Sequence, residues 1–357
     1  MQNLPQIKMR GNQVADYLIM SADREAAEWK DGGLRVIDDK FLPLYLKRVS
    51  DADRWLETRA IDSHRANSRL LKKALRLSER DDISTVLYSH GATITDNYWI
   101  RRPSEELSYK DVRFDNNYFA KLALTGSYDS FNKVASGKYT KTPELTNVGS
   151  FEKCWKLIGG SWYMYKKASH EELFSELFAC RLGQALGMNM SEYYRGDGYI
   201  KSLDFTDNAA VNFEPAAAFM GENEDYADVV EKLKLVCPQA INDYIRMIFL
   251  DTIIANPDRH TNNFGLLRNN ETGELLGLAP NFDNNMALIS RGYPSKPGRN
   301  DVLIRLFREL TNQYPEYKQA LPILTEDTVR DTIDSLHMKV KKNAVTELVM
   351  ARYELSI

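Results

Sequence analysis

One stretch of the sequence, residues 241–290, constrains the fold more than any other. It begins with an apolar helical pattern that stops at Asn256-Pro257, because a proline disfavours helix in the residue before it. A polar loop follows, and then two short apolar runs, Phe264–Leu267 and Leu275–Leu278, whose linker contains Asn-Asn-Glu-Thr-Gly. Asn and Gly in such a linker are typical of a hairpin turn. The stretch therefore predicts a helix, a polar loop, a β-hairpin and an acidic loop, in that order.

Three polar residues of this stretch, Asp258, Asn263 and Asp283, are expected to meet at one rim of the fold. Asp258 and Asn263 lie five positions apart, which is the spacing between the catalytic-loop Asp and the metal-binding Asn of protein kinases. Asp283 follows the hairpin, where kinases carry their second metal ligand. Because Mg²⁺ takes oxygen ligands and keeps several waters, one Asp and one Asn suffice beside nucleotide phosphates. The pattern predicts Asn263 and Asp283 as metal ligands and Asp258 as the residue that orients the attacking hydroxyl.

The sequences Asn-Pro-Asp-Arg-His-Thr-Asn-Asn-Phe-Gly and Ala-Pro-Asn-Phe-Asp-Asn resemble the catalytic and metal-binding motifs of the HipA-like bacterial serine/threonine kinases. The resemblance covers roughly residues 145–310. It implies an ATP- and Mg²⁺-dependent kinase. The order Asp258-Arg259-His260 and the absence of a G-x-G-x-x-G loop exclude a kinase of the eukaryotic type. We expect His260 to organise the loop by a hydrogen bond near Asp283.

Upstream, the pattern predicts two strands, Cys154–Ile158 and Trp162–Lys166, joined by a Gly159-Gly160 turn and followed by a helix from Glu171 to Leu186. A strand lysine followed by a helix glutamate is the order found in a kinase small lobe, where the two pair and the lysine holds the phosphates. The resemblance places this lysine at Lys166 and the glutamate at Glu176. Lys167 competes for the lysine role, and Lys166 is preferred because it directly follows two apolar residues.

The resemblance also places a phosphate-binding loop immediately before the first of these strands. It assigns Gly149, Ser150 and Lys153 to this loop as nucleotide-binding residues. Some members of the family phosphorylate a hydroxyl residue in or just before the loop, and here the available hydroxyls are those of Thr146 and Ser150. A phosphate at either residue would repel the nucleotide phosphates, which would switch the kinase off.

With 357 residues, the chain is too long for one ordinary core. We expect an α+β, bilobal protein-kinase-like fold with a small β-rich lobe at 126–210 and a larger helical lobe at 211–357. An accessory region at 1–125 is expected to be mainly helical, with Phe41–Leu46 as a short strand or buried turn and a basic helix at 65–77. This region does not resemble the front domain of the toxin kinases, which leaves its role open.

Composition limits the compartment and the partners. Three scattered cysteines form neither a disulfide framework nor a zinc site, and no signal segment or membrane-length apolar run occurs, so a cytoplasmic location without membrane association is expected. A net charge of -3 gives no direct indication of nucleic-acid binding. The partners implied are a protein substrate with a Ser or Thr acceptor and an antitoxin-like regulator. Two alternatives stay open: a lipid or small-molecule kinase on the same scaffold, and a catalytically silent nucleotide-binding module.

Overall fold

The computed structural model describes residues 16–75, 77, 82–127, 141–149, 151–196 and 198–357, and in these ranges the strands form three antiparallel sheets. The strands are β1 (Tyr17–Ser21), β2 (Arg24–Lys30), β3 (Gly33–Val36), β4 (Tyr98–Arg101), β5 (Lys153–Ile158), β6 (Ser161–Lys167), β7 (Tyr193–Gly196), β8 (Tyr199–Leu203), β9 (Val211–Pro215), β10 (Gly265–Asn269) and β11 (Leu275–Leu278).

The helices that the structure describes lie between and after these strands. They are α1 (Leu44–Val49), α2 (Ala52–Glu57), α3 (Ser68–Ala74), α4 (Asp82–Leu87), α5 (Tyr109–Val112), α6 (Ala120–Thr125), α7 (His170–Ala185), α8 (Ala216–Met220), α9 (Tyr226–Val236), α10 (Ile241–Ile253), α11 (Val302–Gln313), α12 (Glu326–Ser335) and α13 (Lys342–Ser356). Short 3-10 helices lie at Asp39–Phe41, Pro143–Thr146, Pro238–Ala240 and Pro315–Ala320. No described helix is long and apolar enough to cross a membrane.

The accessory region contains, beside its helices, a four-stranded sheet in the order β3-β2-β1-β4, which the sequence analysis did not predict. The strand β2 reads Arg-Glu-Ala-Ala-Glu-Trp-Lys, a composition of good helix formers. Pairing with β1 on one side and β3 on the other overrides that local preference. The strand buries Ala26, Ala27 and Trp29, and the two alanines give a weak strand signal in the sequence.

The segment Phe41–Leu46 is buried as expected, but it does not form a strand. Phe41 ends a 3-10 helix that Asp38 caps, and α1 begins at Leu44. Pro43 lies at the N-cap of α1, where its missing N–H breaks no bond within the helix. The proline therefore ends one short helix and starts the next.

The second sheet, in the order β5-β6-β8-β7, confirms the predicted strand pair and its Gly159-Gly160 turn. Both glycines have positive φ, of 59° and 88°, as a tight hairpin turn requires. Lys153 of β5 lies directly opposite Lys166 of β6, so the two lysines lie on the same face of the sheet. The neighbouring helix α7 confirms the helix predicted from Glu171, and Ser169 and Glu172 form a capping box at its start.

The third sheet, in the order β11-β10-β9, contains the hairpin predicted between the polar and the acidic loop. It packs beside α10 in the largest apolar cluster, where Phe249 and Leu266 are fully buried. The polar loop and the acidic loop leave this cluster from the end of α10 and the end of β11. The fold therefore holds both loops on rigid elements.

A separate apolar cluster joins the accessory region to the second sheet. It packs Leu71 and Phe119 against Leu145 and Cys154, on both sides of residue 125. Cys154, Cys180 and Cys237 are all free and buried. The domain boundaries at 125 and 210 stay predictions, but the sheet that carries the two lysines packs against accessory helices.

Candidate active site

The polar loop after α10 is shaped by its own side chains. Ala255 adopts a left-handed φ of 54°, and the backbone N–H of Asn256 donates to the Asp251 carbonyl at 2.8 Å. The Asn263 amide donates to the Asp258 carbonyl at 2.9 Å, which leaves Asn263 Oδ1 without a donor among the described residues. In the same part of the chain, no group donates to the Asp258 carboxylate. The loop thus presents one free carboxylate and one free amide oxygen.

A buried arginine, Arg259, ties this loop to the acidic loop. Its guanidinium donates to six oxygens at 2.6 to 2.9 Å: Asp251 Oδ1, Asp251 Oδ2, Asn263 O, Phe282 O, Asn281 Oδ1 and Asn284 Oδ1. Both partners of the Arg259–Asp251 ion pair are almost fully buried, with 2% and 1% of their side chains exposed. Because this fork holds carbonyls from both loops, it fixes Asn263 and Asp283 relative to each other.

His260 does not take the organising role expected for it. Its Nδ1 accepts a local hydrogen bond from the Asn262 backbone N–H at 3.2 Å, and among the described residues it makes no hydrogen bond or ion pair with Asp283. Arg259, the preceding residue, makes the bonds to the acidic loop. Five donors in a planar fork reach several oxygens at once, which one imidazole cannot do.

The structure brings Asp283 and Lys166 together. Lys166 Nζ donates to Asp283 Oδ1 at 2.6 Å and to Asn285 Oδ1 at 3.0 Å. Asp283 adopts a left-handed φ of 61°, and its backbone N–H donates to the Tyr193 hydroxyl at 2.9 Å. Burial works to raise the pKa of the Asp283 carboxyl, but the positive charges of Lys166, Lys153 and Arg259 together outweigh it, so that pKa lies below its usual range.

Glu176 lies beside this pair without bonding to Lys166. Its two carboxylate oxygens accept from the Asn284 backbone N–H at 2.9 and 3.0 Å. Burial, reinforced by the negative charge of Asp283, raises the pKa of Glu176 to about 7. In this structure the strand lysine therefore pairs with the acidic-loop Asp, and the helix glutamate fixes the backbone of the residue that follows that Asp.

The two candidate lysines at the end of β6 have different surroundings. The side chain of Lys166 is 13% exposed, whereas that of Lys167 is 63% exposed and pairs with Glu152 at 2.9 Å. Successive strand residues point to opposite faces, so only Lys166 faces the acidic loop. The geometry favours Lys166 over Lys167 as the phosphate lysine.

On the predicted phosphate loop, Gly149 and Lys153 lie side by side. Gly149 has a φ of +113°, and a Cβ added there would meet Lys153 Nζ at 2.6 Å, so the amine lies against the loop backbone. Burial, followed by the positive charges of Arg65 and Lys166, lowers the pKa of Lys153 to about 8. Ser150 lies outside the described residues. A positively charged corner thus lies between the loop and Asp283.

Thr146 is fixed in the interior. It is buried, and its hydroxyl donates to the Ala92 carbonyl at 2.6 Å. A phosphate could reach this oxygen only after the bond broke and the segment left its packing. Thr146 is therefore a poorer acceptor than the sequence suggests.

Two arginines of the site, Arg259 and Arg65, are absent from the sequence-based assignment. Arg259 stands inside the catalytic motif, so its position could have marked it. Arg65 lies in the accessory region, and nothing in its local sequence relates it to residues near 150.

No protein-family model matches the chain, and no curated protein matches it. Among solved structures, the chain is similar to HipA of Shewanella oneidensis MR-1, from a toxin–antitoxin complex with HipB and operator DNA, at a TM-score of 0.52 and 12% identity over 95% of this chain and 97% of that one. A second similar structure is the Helicobacter pylori proinflammatory kinase CtkA, at a TM-score of 0.42 and 17% identity over 57% of this chain and 89% of that one.

The resemblance to HipA-like proteins is thus confirmed at the level of the fold, which is a mixed α/β fold with several antiparallel sheets. Since the match to HipA covers 95% of the chain, it includes most of the accessory region. The expectation that this region departs from the toxin kinases is therefore wrong for its fold.

Proposed function

We propose that this protein is an ATP- and Mg²⁺-dependent serine/threonine protein kinase of the HipA-like type. In this proposal the sheet carrying Lys166 belongs to a small lobe and α10 with its loops to a larger helical lobe. The contact that carries the proposal is the 2.6 Å bond between Lys166 and Asp283. It brings a sheet lysine close to the residue that the acidic-loop motif assigns to metal, and phosphoryl transfer from a nucleotide uses a phosphate-holding lysine and a metal-binding Asp in one site.

The residues present fit a magnesium ion. Asn263 Oδ1 and the Asp283 carboxylate are hard oxygen donors, and Arg259 holds their two loops together. The ion pair of Asp283 with the Lys166 ammonium supports this assignment, because it is already a contact between this carboxylate and a cation. A bound magnesium ion would neutralise charge on the phosphates. Asn263 and Asp283 would hold it together with phosphate oxygens and water.

The phosphates would lie in the positively charged corner. Lys166 and Lys153 supply two cations on one face of the sheet, and Gly149 lets the backbone approach closely. Glu176 supports this corner through the Asn284 N–H. With a nucleotide bound, Lys166 would pair with the phosphates and Asp283 would be free to hold the metal, so that both charges stay compensated.

Asp258 would orient the hydroxyl of the acceptor. Its carboxylate has no donor among the described residues, so it is available to accept a substrate O–H. In this class of reaction, the protein contributes mainly positioning and charge stabilisation. We extend the proposal to self-phosphorylation at Ser150, because Thr146 is buried.

The proposed partners are a protein substrate and an antitoxin-like regulator, in the cytoplasm. The regulator is supported by the solved structure of HipA, which contains HipB. The fold does not choose between protein, lipid and small-molecule acceptors. Protein is proposed on the resemblance of the two motifs.

Calorimetric titration with ATP and Mg²⁺, together with labelled-phosphate transfer to the protein itself, tests the proposal. We expect Asp283→Asn to abolish Mg²⁺-dependent binding, since it removes the charged metal ligand while Asn tolerates the left-handed φ. We expect Asp258→Asn to bind ATP but lose transfer by about 100-fold or more. The exposed Asp331→Asn is the control and should match the wild type.

Each outcome distinguishes among the functions considered. Unchanged affinity in Asp283→Asn overturns the metal assignment. Wild-type protein that binds ATP without transferring phosphate to itself or to added proteins, lipids and small-molecule acceptors would be a silent nucleotide-binding module. Wild-type protein that binds no ATP would refute the proposal as a whole.

A further inference from the structure

A buried polar network connects the accessory region to the predicted phosphate loop. At its centre are Arg65, which lies just before α3, and Glu144, which lies in the 3-10 helix Pro143–Thr146. Their side chains pair at 3.2 Å, and both are 0% exposed. Two charges so far from water need several hydrogen bonds to be stable. The partners of this pair therefore show which segments it holds together.

Arg65 reaches both sides of the phosphate loop. Its Nη1 donates to the Asn147 carbonyl at 3.1 Å, and its Nη2 donates to the Lys153 carbonyl as well as to Glu144. Asn147 comes just before Gly149, and Lys153 begins the strand that follows the loop. One side chain from the accessory region thus holds the backbone where the loop begins and where it ends.

Glu144 completes the network as an acceptor. Its carboxylate accepts four hydrogen bonds at 2.7 to 3.2 Å, from Arg65 Nη2, Asn117 Nδ2, Asn147 Nδ2 and the Trp155 N–H. Two of these donors belong to the accessory region and two flank the loop. Loss of either charged partner would leave the other buried and unpaired, and would free the carbonyls on both sides of the loop.

We propose that Arg65 and Glu144 form a positioning pair that holds the backbone on both sides of the phosphate loop in its phosphate-binding shape. The consequence for nucleotide binding rests on the proposed kinase function. A loop that binds phosphates through backbone N–H groups must keep its shape before the ligand arrives, because any ordering on binding reduces the affinity. The accessory region would therefore determine how tightly this protein binds a nucleotide.

The competing explanation is an ordinary buried ion pair that stabilises the accessory region alone. The chain offers a matched comparison in Arg59 and Asp96, whose side chains are 9% and 8% exposed. Arg59 donates to Asp96 and to the carbonyls of Gly91 and Tyr98, and to none of the described residues within 144–149 and 151–155. Both arginines are buried in the same region, but only Arg65 contacts the loop.

The first experiment uses hydrogen–deuterium exchange in the absence of nucleotide, so that it does not depend on kinase activity. We compare Arg65→Lys and the double variant Arg65→Met/Glu144→Met with Arg59→Lys. The double variant replaces a buried pair by apolar side chains, which restores stability in many proteins but supplies no donors for the two carbonyls. Lysine keeps the charge but lacks the planar fork that reaches three oxygens.

The expected result is amide exchange of residues 147–153 that is about tenfold faster in both Arg65 variants, beyond what their global stability from urea denaturation accounts for, and unchanged in Arg59→Lys. Faster exchange confined to the accessory sheet, or unchanged exchange of the loop, would overturn the positioning role. The exchange experiment therefore tests the positioning role even if the protein binds no nucleotide.

The second experiment measures the affinity for ATP with Mg²⁺, and the KM for ATP against kcat. We expect both Arg65 variants to bind ATP about tenfold more weakly with little change in kcat, because the chemical groups are untouched. If the double variant regains wild-type affinity together with wild-type stability, the pair is structural only and the proposal fails. Absence of ATP binding in the wild type would instead refute the proposed function.

Discussion

Arg259 and Arg65 each hold one loop of the candidate site, but their partners come from different distances along the chain. Arg259 bonds to residues between 4 and 25 positions away. Arg65 bonds to residues between 79 and 88 positions away. Through its arginine, the catalytic half of the site, residues 251–285, is held from within, whereas the phosphate half, residues 144–167, is held from the accessory region.

This difference indicates how the two halves can change. A loop held by its own neighbours keeps its shape whenever the segment is folded. A loop held by a remote side chain depends on how a second region packs, and that packing can be altered by mutation or by a partner. We therefore expect the conformation of the catalytic half to be fixed and that of the phosphate half to be adjustable.

The largest expected effect is the loss of stability on replacement of Arg259. We expect Arg259→Met to destabilise the protein by about 3–5 kcal/mol, because it leaves the Asp251 carboxylate buried and unpaired. Urea denaturation measures this, with Arg330→Met in the exposed pair with Glu326 as the control, where a loss below about 1 kcal/mol is expected. A loss at Arg259 no greater than at Arg330 would break the comparison, since the catalytic half would then not depend on its arginine.

The next largest effect is expected on phosphotransfer when Lys166 is replaced. The side chain of Lys166 bonds from the phosphate half to the catalytic half. We expect Lys166→Ala to reduce phosphotransfer by about 100-fold, since it removes a charged group aimed at the phosphates. Lys167→Ala should stay within about twofold, because its side chain points to solvent and to Glu152. Transfer rates from labelled ATP decide the matter, and equal losses in the two variants would mean that the face of β6 has been assigned wrongly.

A smaller effect is expected at Thr146, a second connection between the phosphate half and the accessory region. Thr146→Val removes the bond to the Ala92 carbonyl and should cost about 1 kcal/mol in urea denaturation. Thr125→Val, at an exposed hydroxyl, should change stability by less than about 0.5 kcal/mol. Mass spectrometry after incubation with ATP should find no phosphate on Thr146. Its detection there would show that this connection opens readily.

The smallest effect is a proton taken up by Lys153. With its pKa lowered to about 8, this amine is half neutral at pH 8 in the free protein. Bound phosphates favour the ammonium form, so ATP binding should take up about half a proton at pH 8 and close to none from this group at pH 6.5. Calorimetry in buffers of different ionisation enthalpy measures the uptake. The same uptake in Lys153→Arg would assign it to another group.

Much of the catalytic half follows from the sequence because its signals are local. The helix α10 that leads into it, the break at Pro257 and the hairpin β10–β11 all rest on neighbouring residues, and the structure contains each of them. Even there, the organiser was taken to be His260 in place of Arg259. The sequence shows which residues are polar, but it does not show which of them is buried among carbonyls.

The phosphate half and the accessory sheet were harder to predict from the sequence, because the residues that stabilise them are distant along the chain. The strand β2 is built from helix formers and becomes a strand only through its partners β1 and β3. Arg65 was placed at the start of a predicted basic helix at 65–77, yet it lies before α3 and its side chain is fully buried against Glu144. Only knowledge of which segments pack together could have revealed either feature.

The three free cysteines can report on the order in which segments of this molecule open. Cys154 lies where the accessory helices meet β5, whereas Cys180 and Cys237 belong to the large apolar cluster. Burial raises the pKa of each thiol, to about 11 for Cys180, so alkylating reagents meet little thiolate until a segment opens. The order in which the thiols are labelled over time would therefore show which of these two apolar clusters opens first, without any introduced probe.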